Sequence, residues 1–172
     1  MRNSHLIVDD FGDDTGWAAF GNDTTGVIEY ATPRFGSICM EFDKVDGADD
    51  DTFAGLAKTL TSLDLSKEGL RTTDRVTWLC FCSVLTNVAS CFVRLGTDSS
   101  NYLEWRVADT AMIAGWTACD VAFGEAYMTG TGCQLEDIDY IACGVNFDAA
   151  GNTLANIKFD YLCLEDVTRR KS

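Results

Sequence analysis

One histidine, one proline and 13 basic side chains are all that 172 residues contain of those types, and each scarcity closes a class of function. With His5 as the only imidazole, in a terminal segment, neither a Ser-His-Asp nor a Cys-His machine has a base. With 27 acidic residues against 13 basic ones, the formal net charge of -14 repels a phosphate backbone or an anionic lipid surface, so neither nucleic acid nor membrane is expected as a partner. No stretch approaches the roughly 18 consecutive apolar residues of a membrane span, and acids at Asp9 and Asp10 interrupt the start before a signal-peptide core forms. Cys-x-x-Cys is absent, and with it the usual spacing of a zinc site. Phosphate loops, dinucleotide fingerprints and the Glu-x-Asp-x-x-Glu pattern of sandwich-fold glycosidases are absent as well. No reaction is indicated, and the chain is expected not to be an enzyme.

What is present is alternation. The chain is 47% hydrophobic, enough for one sizeable core, with roughly 70% of the unfolded surface buried on folding. In 36–43 the residues Ile38, Met40 and Phe42 share one face, while Ser37, Cys39, Glu41 and Asp43 share the other. Residues 74–85 are apolar at nearly every position after Val76, which predicts a central strand covered on both faces. Segments 91–96 and 101–107, separated by Thr97-Asp98-Ser99-Ser100, predict a hairpin. Its second arm turns Leu103, Trp105 and Val107 inward and Tyr102, Glu104 and Arg106 outward. Further strands are expected over 115–123, with a small-residue loop at 128–132, then over 137–147 and 156–164. Residues 50–60 suit either a helix, weakened by Gly55, or an edge strand. About nine to eleven short strands make an all-β, two-sheet antiparallel sandwich the consistent fold, one domain over 1–172 with its core at about 6–165 and a short basic tail over 166–172.

An acid set in an apolar strand occurs at both ends, in Leu6-Ile7-Val8-Asp9-Asp10-Phe11 and in 156–164 around Asp160, which predicts that the termini meet. The eight cysteines lie mostly within apolar runs, so buried free thiols are expected. Asn22-Asp23-Thr24 matches a glycosylation acceptor, a pattern short enough to recur by chance.

A series of phrases in order resembles the carbohydrate-binding-module, or galactose-binding-like, jelly rolls. These are Val8-Asp9-Asp10-Phe11 followed by Trp17, Leu63-Asp64-Leu65-Ser66, the run from Leu95 to Tyr102, Gly115-Trp116, Asp137-Ile138-Asp139-Tyr140-Ile141 and Phe159-Asp160-Tyr161-Leu162. The resemblance implies a jelly roll with a structural calcium where first and last strands join, and the matching positions are Asp9 or Asp10, Glu41 and Asp160. The alternative is that Asp9 and Asp10 are solvated turn acids and that Asp160 bonds a backbone amide or a lysine. It also implies a sugar-binding sheet face, for which Tyr102, Glu104 and Arg106 are the candidates, with Trp17 and Trp116 as loop platforms. The bland reading of the same residues is a cross-strand polar ladder with tryptophans at the core edges.

Two functions are expected on this basis. The first is a structural or attachment protein of a bacteriophage virion, assembled in the host cytoplasm as a capsid decoration, head-fibre or tail-associated protein. Its partners would be other virion proteins, further copies of itself and surface glycans. The second is a carbohydrate-binding module of a glycoside-degrading enzyme, extracellular if that enzyme is secreted. Fold resemblance alone does not choose between them.

Overall fold

A computed structural model describes residues 5–47, 51–131 and 133–166. Of the expected basic tail only Asp166 is described; Arg169-Arg170-Lys171 lie outside the described residues, as do Asp50 and Gly132.

Twelve strands and three short 3-10 turns make up the described residues. In chain order the strands are β1 His5–Asp9, β2 Trp17–Phe20, β3 Thr24–Tyr30, β4 Cys39–Lys44, β5 Phe53–Leu63, β6 Arg75–Cys82, β7 Val88–Asp98, β8 Asn101–Ala108, β9 Gly115–Ala122, β10 Tyr127–Thr129, β11 Ile138–Phe147 and β12 Leu154–Glu165. The first sheet runs β3-β4-β12-β6-β9, with β1 also on β12, and the second runs β10-β8-β7-β11-β5-β2, every pairing antiparallel. This is the expected all-β sandwich, with twelve strands where nine to eleven were counted. The additional ones are short: β2 has four residues and β10 three, below the length at which alternation shows in a sequence.

Alternation puts one face of each sheet into a common core. Met40 and Phe42 of β4, Trp78 of β6, Val93 and Leu95 of β7, Trp105 of β8, Ile141 and Val145 of β11, and Ile157 and Phe159 of β12 belong to it. At about 25 cal/mol per Å² of apolar surface removed from water, this interior is the main force closing the sandwich.

The termini meet as expected. β1 pairs with the end of β12, Leu6 opposite Leu164 and Ile7 opposite Cys163. β12 can serve both β4 and β1 because it bends. Its ladder to β6 shifts between Asp160 and Cys163, and Tyr161 takes a left-handed φ of 49°, the signature of a bulge. Its first half therefore pairs β4 and its second half β1.

Three sequence expectations change. β6 is not the fully covered centre; β12 is the central strand, buried from Ile157 to Glu165 except at half-buried Tyr161. In β6 Val76, Trp78, Cys80 and Cys82 are buried while Arg75, Thr77, Leu79 and Phe81 are half-buried, because its outer face is covered only in part. Segment 50–60 is a strand rather than a helix, but not an edge: β5 lies between β11 and β2. Gly55 faces Gly144, and a Cβ on it would come 2.2 Å from the Cys143 carbonyl, so this glycine permits close strand approach instead of weakening a helix. The loop expected at 128–132 carries β10, paired to β8.

Candidate functional site

Registers of the second sheet bring its outward side chains into rows. Glu104 of β8 stands opposite Arg94 of β7 and Tyr127 of β10, Arg106 lies opposite Phe92, and Tyr102 faces Gly96. Across β7 and β11, Arg94 meets Ala142, Phe92 meets Gly144 and Gly96 meets Tyr140. Tyr102, Glu104 and Arg106 thus share the outward face, as expected from their spacing, but they act with partners that the hairpin alone does not reveal.

The centre of this face is Arg94. Its guanidinium lies 4.5 Å from the ring centroids of Phe92 and Tyr102 and 4.9 Å from that of Phe20. Its Nε donates to Glu104 Oε2, and Arg106 Nε donates to Glu104 Oε1, so one buried carboxylate holds two guanidiniums. Arg106 in turn sits 5.0 Å from the ring of Tyr127. Phe20 rests against Phe53 at 5.0 Å and Tyr102 against Tyr140 at 6.4 Å. Cations and rings alternate across the whole sheet from β10 to β2, each contact in the range where the ring quadrupole attracts a cation or a ring edge.

Glycine and alanine form the floor that lets these rings lie low. A Cβ on Gly144 would come 2.7 Å from the Phe92 ring, and one on Gly96 would come 2.6 Å from Tyr102 Cβ. Phe92 is fully buried although it lies outside the core, because Arg94 covers it. At the Tyr140 end the face drops into a depression of about 450 Å³ lined by Thr59, Thr97, Asp98, Ser99 and Asp139. That size and its mixture of hydroxyls, carboxylates and one tyrosine suit a small polar ligand with an apolar side. Asp98 is held below the ordinary carboxylate range by hydrogen bonds from Asn101 and the Ser100 amide, so it remains an acceptor. Burial raises the Tyr140 hydroxyl, against a lowering influence of Arg94.

The two tryptophans do not join this face. Trp17 starts β2, is 7% exposed and stacks on Phe11 at 4.9 Å, which makes it part of the core. Trp116 is in β9 of the other sheet, edge-on to Phe81 at 5.5 Å. Neither is a loop platform.

The four expected calcium ligands also separate. Asp9 Oδ2 accepts from Lys58 Nζ at 3.0 Å, and its Oδ1 accepts from the Phe11 amide at 2.7 Å. Asp10 Oδ1 accepts from the Gly12 amide at 3.0 Å. Glu41 pairs with Lys158 Nζ at 2.7 Å. Asp160, fully buried, takes the amides of Arg34 and Phe35 on Oδ2 at 2.9 and 2.7 Å. Among the described residues no three donor atoms of this set lie within 4.8 Å of one another. A hard dication needs six or more converging oxygens, and two of these carboxylates are already neutralised by lysines. The set does not fit calcium: Asp10 is the exposed turn acid and Asp160 the backbone-bonded one that the alternative describes, while Asp9 is not solvated but largely buried and paired with Lys58.

No family model matches the chain, and no curated protein is similar to it in sequence. Solved structures are similar in fold. A family 11 carbohydrate-binding module from Clostridium thermocellum, solved with a β-1,3-1,4-mixed-linked tetrasaccharide, superposes with a TM-score of 0.63 at 13% identity, over 94% of this chain and 95% of that one. The C-terminal family 22 carbohydrate-binding module of Clostridium thermocellum Xyn10B gives 0.52 at 14% identity, over 95% and 94%. The chain has the fold of the carbohydrate-binding modules. An agarase, AgWH50C, matches with a TM-score of 0.57 at 9% identity, over 95% of this chain but only 25% of that enzyme. The structures matched along their whole length are carbohydrate-binding modules, and within the agarase the matched part is a quarter of a longer chain. Nothing in these likenesses points to a virion protein, so that expectation is left without support.

Sequence reasoning missed Arg94, Phe92, Tyr140, Phe20 and Tyr127 as members of this face. The signal for the first three was there: Phe92 and Arg94 stand two apart in β7 opposite Arg106 and Glu104, and Tyr140 of β11 stands opposite Gly96 of the same β7 face. Phe20 and Tyr127 sit in strands too short to register.

Proposed function

We propose that this chain is a non-catalytic carbohydrate-binding module, and that its ligand lies across the outward face of the second sheet. The observation that carries the reading is the row from Tyr127 through Arg106, Glu104 and Arg94 to Phe20, with Tyr102 and Tyr140 beside it, on a module of this fold. Sugars present axial C–H groups that pack on aromatic faces and hydroxyls that need fixed planar donors and acceptors. Tyr102 and Tyr127 supply rings, the guanidiniums supply donors, and Asp98 and Asp139 in the depression supply acceptors. The Glu104 carboxylate, 1% exposed, positions both arginines and is not itself presented to a ligand.

The ligand class is a neutral glycan with several sugar units, because the row spans the sheet. With a net charge of -14, an acidic polysaccharide is disfavoured. Affinity electrophoresis through gels containing mixed-linkage β-glucan, xylan or agarose tests the proposal. Retardation by one neutral polysaccharide, reduced at least about tenfold in affinity by Tyr102→Ala, supports it, a loss of about 1.4 kcal/mol being within reach of one stacked ring. Unretarded migration in every neutral glycan overturns it.

A further inference from the structure

The chain's only histidine does not dangle beyond the sandwich. Strand pairing sets His5 directly opposite Glu165, and Ile7 opposite Cys163, so that His5, Cys163 and Glu165 project on the outward face of the first sheet. The donor atoms Nε2 of His5, Sγ of Cys163 and a carboxylate oxygen of Glu165 all lie within 4.8 Å of one another. His5 Nε2 is 3.4 Å from Glu165 Oε1.

From this geometry we propose that His5, Cys163 and Glu165 form a zinc-binding site that fastens the first strand to the last. Ligands about 2.0–2.3 Å from a tetrahedral zinc lie about 3.3–3.6 Å from each other, and the His5–Glu165 separation already has that value. One nitrogen, one sulfur and one oxygen are the donor mixture of a borderline-soft cation; calcium and magnesium take oxygen alone. Three protein ligands leave the fourth position of a tetrahedral zinc to water, and the His5 side chain is half exposed.

The surroundings support the donors. Thr77 Oγ1 donates to Glu165 Oε1 at 3.3 Å and orients the carboxylate. Arg75, opposite Glu165 on β6, is directed to Asp120, with Nε to Oδ1 at 2.5 Å and Nη2 to the main-chain oxygen at 2.7 Å. A depression of about 270 Å³ lined in part by Thr77, Tyr161 and Glu165 opens beside the site. Binding requires thiolate, so Cys163 transfers its proton to solvent as the metal enters. The site lies on the sheet opposite the proposed glycan face, and the two readings stand or fall separately.

Cobalt(II) titration of untagged, metal-free protein tests it, since cobalt occupies zinc sites and reports its ligands in its spectrum. The expected result is one equivalent bound, with a thiolate-to-cobalt charge-transfer band in the near ultraviolet and the strong visible bands of four-coordination. Zinc bleaches these bands and calcium does not. His5→Ala, at an exposed position, weakens binding at least tenfold, and Thr77→Ala weakens it by about tenfold. Absence of the thiolate band at millimolar cobalt overturns the proposal, as does a band that His5→Ala leaves undiminished.

Discussion

The Arg94 guanidinium lies 4.5 Å from the ring centroid of Tyr102 while its Nε donates to Glu104, so one side chain ties the aromatic surface of the second sheet to a buried carboxylate. On the proposed reading, Arg94 both holds the sheet face together and meets the ligand. Replacement by methionine keeps the packing volume but leaves Glu104, at 1% exposure, with Arg106 alone. The expected cost is about 3 kcal/mol in denaturant unfolding, as for other buried pairs broken on one side. Glycan retention is lost as well. Arg94→Met with unchanged unfolding midpoint contradicts the geometry.

Lys44 is the second buried charge on which the fold depends. Its Nζ donates to Asp23 Oδ2 at 2.7 Å and to the carbonyls of Val45 and Ala150 at 2.8 and 2.9 Å, which uses all three donors. Lys44→Met strands Asp23 and two carbonyls in the interior. Stability falls by about 3–5 kcal/mol, read from urea midpoints at constant m. Asp23→Asn, which retains one acceptor, costs less.

Asp160 sets a pH dependence. Burial raises its carboxyl above the ordinary value of 3.8, against lowering by the Phe35, Arg34 and Tyr161 amides. The folded state therefore holds this proton more tightly than the unfolded state, and the contribution of Asp160 to stability declines as pH rises from 3.8 through its raised value. Asp160→Asn lacks that decline. Relative to the wild type, the variant gains ground as pH rises above 3.8, and equal pH slopes for the two proteins speak against the assignment.

The thiols divide by exposure. Cys133 is half-buried and the other seven cysteines are buried. Cys133 is itself raised to about 11, chiefly by burial and further by Glu136, so even it is mostly thiol at neutral pH. Under native conditions an aromatic disulfide reagent labels one cysteine, slowly, and all eight after unfolding; rapid labelling of several native thiols is the contrary result.

Calcium provides a further check. With Asp9 held by Lys58 and Glu41 by Lys158, addition of millimolar calcium to metal-free protein leaves the melting temperature unchanged. A rise of several degrees requires those ion pairs to open and the acids to converge.

How far the sequence led is visible in particular residues. Period-two alternation gave the faces of β4 and β8 correctly, because burial on one side of a sheet writes directly into every second residue. The meeting of β1 with β12 was legible from matched acids in apolar runs. What was not legible depended on the third dimension. Asp160 turned out to cap the amides of Arg34 and Phe35, more than a hundred residues away in sequence, and Trp17 entered the core through a strand of four residues. Arg94 was hidden for a different reason: within Cys91-Phe92-Val93-Arg94-Leu95 it reads as a lone charge, and only the registers of β8 and β11 show that it completes a surface with Glu104, Tyr102 and Phe20.

The most direct test of the proposed glycan-binding face is an amide chemical-shift titration with the neutral oligosaccharide that retards the protein best. Perturbations gathered on β7, β8 and β11, with Arg94, Tyr102 and Tyr140 at their centre and Trp116 of the opposite sheet silent, are the predicted result. Saturable shifts centred on the first sheet, or none at all, contradict the account.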